Sequence, residues 1–277
     1  MKTKKIIVFV LIVMVVTLLT LTLVACNERE IENLASTPTL DVNAINEVTF
    51  FRGDSVVLDE YGEPTVMGLN ILLRSDIIVI GEFIGETHTR FIPGLVSGVS
   101  RAITFSDLRI IEVLDGDVEI GDIVKVAQNY YIDEENGNFV SYSTPLTPMQ
   151  SGDRWLMFLG KTSSPIEYFS QYIDYNVEDY VDTYFFSGMF DARFPLPTSE
   201  TLQLAEYYIE NEIAKFSAEI PAELETATLG VFDRDAFNFQ LYAEVLEHFQ
   251  IEPDDDWVNP GHRLDERLVS LYENQAG

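Results

Sequence analysis

The sequence predicts an α+β protein: short strands of the barrel or sandwich type, followed by helices. Three observations predict it. Between residues 66 and 195, short β-branched and aromatic runs alternate with Gly, Asp and Asn turn signals. From residue 198 onward, apolar residues recur at helical spacing. Ahead of both lies an N-terminal segment that belongs to neither, a lysine cluster followed by an uninterrupted apolar run.

That segment comes first. Lys2, Lys4 and Lys5 open the chain, and Ile6 to Ala25 then carries no charge, with only Thr17, Thr20 and Thr22 breaking its apolar character. A basic start before an apolar run is an export signal; the basic end stays in the cytoplasm and the rest is placed outside. The run closes in Leu23-Val24-Ala25-Cys26, which resembles the bacterial lipobox. The resemblance implies that the Cys26 thiol takes up a diacylglycerol and that the small Ala25 fits the signal peptidase's narrow slot. Cleavage between Ala25 and Cys26 then leaves Cys26 first in the mature chain. It also implies a palmitate-type lipid anchor on Cys26, with the membrane as partner and the extracytoplasmic face of the cell membrane as location. Each buried methylene contributes about 0.8 kcal/mol, so two acyl chains hold where one is marginal. An uncleaved membrane helix and a released secretory signal are the competing readings. The chain's single cysteine stands at the end of the run, which favours the lipoprotein. All three readings put most of the chain outside the cytoplasm.

Residues 26–65 read as tether and lead-in: Asn27 to about Val48 is polar, contains Pro38 and has little periodicity. Residues 66–195 read as a β domain. Asp76–Gly85 is a β-branched run bounded by glycine, and Ile103–Leu114 alternates before the turn Asp115-Gly116-Asp117. Gly121-Asp122 introduces a strand from Ile123 to Gln128, and Asn136-Gly137 turns between Tyr130–Ile132 and Phe139-Val140. Ser151-Gly152-Asp153 precedes the buried strand Arg154–Leu159, and Tyr184–Phe186 with Met189-Phe190 reads as a last hairpin about Gly188. The order Ser75–Gly81, Ile110–Asp117, Gly121–Val126, Gly152–Leu159 resembles uncharacterised bacterial envelope proteins whose small barrel is similar to the OB-fold domain of tissue inhibitors of metalloproteinases. That resemblance implies a small antiparallel, OB-like β-barrel. Those inhibitors act through an N-terminal cysteine and several disulfides. With one cysteine this chain makes no intrachain disulfide, so the inhibitory mechanism does not carry over.

Residues 196–277 read as a helical C-terminal segment. Pro197-Thr198-Ser199-Glu200 is a helix start, and Leu202, Ala205, Ile209, Ile213 and Phe216 form its stripe before Pro221. A second helix is expected from near Asp233 or Asp235, with Phe237, Leu241, Val245 and Phe249 on one face and Pro253 ending it. A third follows Pro260-Gly261, striped by Leu264, Leu268 and Leu271. These stripes are read as packing surfaces, with partner binding by one of them as the alternative.

Charge narrows the function classes. Of 277 residues, 17 are Lys or Arg and 46 are Asp or Glu, a net charge of −29. Past the leader only Lys125, Lys161 and Lys215 remain beside the arginines. Such a surface keeps a protein soluble and is the opposite of a phosphate-binding face, so no nucleic-acid partner is expected. His88, His248 and His262 lack the two-histidine helical spacing of zinc proteases, and thiolate zinc sites need more than one cysteine. Asp133-Glu-Glu-Asn-Gly-Asn138 misplaces its glycine for a calcium loop and reads as a hairpin tip. Asp254-Asp255-Asp256 is an acid run in an acidic chain. Gly98-Val-Ser100-Arg-Ala102 lacks the second glycine of a nucleophile elbow. The aromatics Tyr168, Phe169, Tyr172, Tyr175, Tyr180, Tyr184, Phe185 and Phe186 are a sugar- or peptide-stacking surface or barrel core, core being preferred. The expectation is a lipid-anchored extracytoplasmic binding or interaction module, with no cofactor, no metal and no catalytic residue assigned, and an envelope protein or glycan as partner. The alternative is an envelope hydrolase using carboxylates in a barrel cleft.

Overall fold

The computed structural model describes residues 45–51, 57–58, 64–65, 68–92, 101–133, 136–142, 146–161, 182–186, 192–210, 237–257 and 259–276. In chain order these contain β1 (Glu47–Phe51), β2 (Val57–Leu58), β3 (Pro64–Thr65), α1 (Leu69–Leu72), β4 (Ile77–Ile92), β5 (Arg101–Gly116) and β6 (Ile123–Gln128). Then follow β7 (Tyr130–Asp133), β8 (Asn138–Tyr142), β9 (Arg154–Lys161), β10 (Thr183–Phe186), β11 (Arg193–Pro195), α2 (Ser199–Glu210), α3 (Phe239–Phe249) and α4 (His262–Ala276). The architecture is α+β, built on a small closed barrel.

Five strands make the ring. β10, β6, β5, β4 and β9 are neighbours in that order, and β9 also pairs with β10, which closes it. Four of these pairings are antiparallel, but β6 and β10 run parallel, a correction to the all-antiparallel expectation. Closure removes the open edges that an exposed sheet presents. β4 and β5, 16 residues each, run past their other neighbours and shift register at four points, including Ile80/Gly81 and Phe83/Gly85. Such shifts bend long strands and let them wrap a narrow barrel. Gly116 ends β5 with φ +103°, and a Cβ there would fall 2.5 Å from Asp76 O and 2.8 Å from Ile77 Cα. Gly116→Ala is therefore expected to destabilise the fold by at least about 1–2 kcal/mol from the left-handed backbone alone, with the clash added. Thermal unfolding checks it, and an unchanged midpoint would contradict this crossing.

Alternation along the strands separates two cores. Ile77, Val79 and Phe83 of β4, Leu108 and Ile110 of β5, Val124 and Val126 of β6, Trp155, Met157 and Leu159 of β9 and Tyr184 of β10 fill the lumen. The intervening residues Ile78 and Ile80 of β4 and Leu156 and Phe158 of β9 face outward. With Phe194 of β11 they meet Leu204 and Ala205 of α2 and Leu241, Tyr242, Val245 and Leu246 of α3. The helices thus exist because one outer face of the barrel is apolar and needs cover. α3 is capped at both ends: Asn238 Oδ1 accepts from Leu241 N at 3.0 Å, and Gln250 adopts the left-handed conformation with φ 54°. It begins several residues later than the stripe from Asp233 or Asp235 predicts, because Asn238 supplies the cap.

A second, three-stranded sheet has the order β1-β8-β7, with β1 parallel to β8. Ile45, Val48, Tyr130 and Phe139 pack there with Leu268 of α4, and Arg267 Nε and Nη2 both donate to Ile45 O. The end of the region read as lead-in is therefore part of a sheet. The tether residues up to 44, the hairpin partner Met189-Phe190 and the stripe residues Ile213 and Phe216 lie outside the described residues.

Candidate functional site: an ionic row on the barrel and the latch beside it

Glu82 of β4, Arg109 of β5 and Arg154 of β9 each adjoin a lumen-facing residue, Phe83, Leu108 and Trp155 respectively. The register sets Glu82 opposite Arg109 on one side and opposite Arg154 on the other. The result is a row across the outer barrel surface. Glu82 Oε1 accepts from Arg109 Nη1 at 3.2 Å and Glu82 Oε2 from Arg154 Nε at 3.1 Å. Both arginine side chains are 34% exposed and Glu82 is 19% exposed. One carboxylate thus serves two guanidiniums, leaving a positive excess in an otherwise acidic chain. Trp257 lies against the row, with the Arg154 guanidinium carbon 4.0 Å from its ring centre. That contact holds the guanidinium by cation–π attraction.

The segment bearing Trp257 is pinned at the start of β9. Asn259 Oδ1 accepts from Arg154 N at 2.8 Å, Asn259 Nδ2 donates to Arg154 O at 3.2 Å, and Trp257 Nε1 donates to Asn259 Oδ1 at 3.0 Å. The amide side chain thereby extends the β9 ladder as a neighbouring strand would. One residue back, the buried Asp153 accepts from Gln150 N through Oδ2 and from Gly261 N through Oδ1, both at 2.7 Å. A Cβ at position 261 would meet Asp153 Oδ2 at 2.5 Å, so any side chain there would displace the carboxylate from its place beside Gly261 N. Nearby, the buried Arg193 donates from Nη2 to Thr147 O at 2.7 Å and lies over the Trp155 ring at 4.5 Å.

Burial raises the Asp153 carboxyl above its ordinary value, while the Gln150 and Gly261 amides and then the Arg193 charge pull it down. A raised carboxyl makes the folded state hold a proton that the unfolded chain has lost. Its contribution to stability is therefore greatest below the ordinary value of 3.8 and declines as pH rises toward the raised one. Relative to an Asp153→Asn variant, the wild type should lose stability across that window. Urea unfolding at stepped pH checks this, and a difference that grows with pH would contradict it.

Other polar groups lie further along the barrel strands. Asp107 of β5 stands across from Lys125 of β6. Burial raises its carboxyl, with Lys125 and then His88 opposing. The partly buried His88 stacks on Phe105 with centroids 4.7 Å apart. His248 is exposed at the end of α3, edge-on to Phe249. Asp133 accepts from Asn136 N and Nδ2, the local pattern of a hairpin tip. In the acid run, Asp255 accepts from Ser199 N at 2.6 Å and Ser199 Oγ at 2.7 Å, which caps α2 and holds its carboxyl below the ordinary value.

Cys26, Ala25, Ser100 and the aromatics from Tyr168 to Tyr180 lie outside the described residues. Of the remaining aromatics, Tyr184 faces the lumen and Phe185 packs with Ile103, Phe105 and Ala127. Among the described residues, no cluster of His, Cys, Asp and Glu has metal-binding geometry, and no helix is long and apolar enough to cross a membrane. Sequence reasoning missed the ionic row. The available signal was a charge beside apolar residues in Gly81-Glu82-Phe83, Leu108-Arg109-Ile110 and Arg154-Trp155-Leu156, a pattern that does not set these three apart from the other charges on their strands. Comparison with known protein families, with curated proteins and with solved structures returns no match.

Proposed function

We propose that this chain is a lipid-anchored lipoprotein of the extracytoplasmic face, and that its folded body is a non-enzymatic binding module. The location rests on Leu23-Val24-Ala25-Cys26, with the chain's one cysteine closing an apolar run. The diacylglyceryl group on Cys26 is the membrane contact. The recognition surface is the outer barrel around Glu82, Arg109, Arg154 and Trp257. What supports this is the filled lumen: side chains of all five ring strands occupy it, so a ligand meets the outside. A hydrolase working in a barrel cleft would need that space. The buried carboxylate nearest the row, Asp153, spends its oxygens on two backbone amides.

The barrel is of the OB type in this reading, with residues 196–277 as a helical C-terminal segment. Numbering the ring strands by chain order, the first pairs with the second, the second with the third, the third with the fifth and the fifth with the fourth. The fourth returns to the first, and the only parallel contact joins third to fifth. That Greek-key order supports an OB-type barrel. Any likeness to tissue inhibitors of metalloproteinases is then one of fold alone.

Cys26→Ser should leave the precursor uncleaved and shift the protein out of the lipid-modified fraction. Normal processing and membrane retention of that variant would refute the anchor. A pull-down from intact envelopes should recover a protein or glycan partner, and less of it from a variant carrying Arg109→Gln and Arg154→Gln.

A further inference from the structure

The ionic row is unsaturated. Arg109 and Arg154 each spend one N–H on Glu82, from Nη1 and from Nε, and among the described residues the Nη1 and Nη2 groups of Arg154 have no hydrogen-bond acceptor. Both arginine side chains are a third exposed. Those two N–H groups form the planar fork that takes a carboxylate through two parallel hydrogen bonds. A carboxylate seated there would continue the alternation of positive and negative charge by one step. Trp257 adds a different chemistry beside it. Its indole is partly exposed while Arg154 covers one face, so an apolar aromatic surface borders the charged fork. A sugar ring carries C–H faces that pack on an indole, and a uronic acid adds the carboxylate.

The site is also pre-set. The Asn259 side chain holds the Arg154 backbone through both its N–H and its carbonyl, and Trp257 is hydrogen-bonded to that same Asn259. Little ordering is left for a ligand to impose. The neighbouring acids do not fill the fork: Asp255 is engaged with Ser199, and Asp254 Oδ1 accepts from Asp256 N at 3.1 Å. They do oppose polyanions at longer range, as does the net charge of −29. Recognition here is therefore by contact and not by steering. Screening the repulsion with salt should leave uronate binding level or improve it, the reverse of a basic polyanion site.

We propose that Arg109, Glu82, Arg154 and Trp257 form a recognition site for a carboxylated sugar, the uronate of an acidic polysaccharide. This rests on the binding-module reading and names its ligand class. The test uses the full acylated chain in detergent, with trigalacturonate as probe and galactotriose as its neutral counterpart, read by Trp257 fluorescence and calorimetry. Trigalacturonate should bind and galactotriose should not at the same concentration. Arg154→Gln should weaken binding at least about tenfold, equivalent to about 1.4 kcal/mol, and Arg109→Gln by a smaller factor. If Arg154→Gln does not fold, Arg154→Lys keeps the charge but loses the fork and should still weaken binding.

The proposal is overturned if the two sugars bind equally, if trigalacturonate does not bind, or if both arginine variants bind as the wild type does. Binding of a peptide's C-terminal carboxylate in place of the uronate would overturn it too. An acylated chain that captures envelope material yet ignores trigalacturonate keeps the module reading and loses the sugar. A chain that binds trigalacturonate with no acyl group on Cys26 keeps the sugar site and the module reading and loses the anchor.

Discussion

Asp153→Ala is expected to lower the unfolding free energy by about 3–5 kcal/mol, the largest effect of a single polar substitution here. The carboxylate is buried, and its loss leaves the Gln150 and Gly261 amides without an acceptor in a place water does not reach. It also removes a negative charge that interacts with the buried Arg193 guanidinium. For a body of this size such a loss lowers the melting midpoint by roughly 10 °C. The Gly261 bond spans 108 residues of sequence, so hydrogen exchange should rise first around residues 257–261. A loss below about 1 kcal/mol would mean that the carboxylate is no more than a surface group.

Phe158→Ala is expected to cost about 3–5 kcal/mol. Phe158 is fully buried on the outer side of β9, edge-on to Phe194 at 5.8 Å and tilted against Phe249 of α3 at 5.9 Å. Removing the ring opens a cavity between barrel and helices, not within the barrel. The amides of α3 should lose exchange protection while those of β6, on the far side of the ring, keep theirs until global unfolding. Met157→Ala, one residue away but facing the lumen, should loosen β6 and leave α3 as it is. Identical exchange patterns for the two variants would show that the cores are not distinct.

Much of the strand framework was legible because turn chemistry is local. Gly121-Asp122 and Ser151-Gly152-Asp153 bracket β6 and β9, and Asn136-Gly137 marks the hairpin of β7 and β8. Pro260-Gly261 likewise announces α4. What escaped depends on distant partners. β1 carries Glu47 and Thr49 between apolar residues and becomes a strand by lying parallel to β8, some ninety residues on. β11 has three residues and exists because β9 offers it an edge. The parallel contact of β6 with β10 leaves no mark in either segment, since strand direction is fixed by the path between them and not by composition.

The candidate site was less legible than the fold. Glu82, Arg109 and Arg154 line up only after the register shifts in β4 are known, and nothing in any one strand singles its member out from the other charges it carries. Asp153 was visible as a turn residue, but its partner Gly261 was not. The proposed acylation of Cys26 differs in kind, since it is argued from immediate sequence neighbours alone.

The most direct measurement is the intact mass of the N-terminal fragment of the protein purified from membranes. A mature chain beginning at Cys26 and carrying a diacylglyceryl group is the predicted result. A free thiol at position 26, with residues 1–25 still attached, would contradict it.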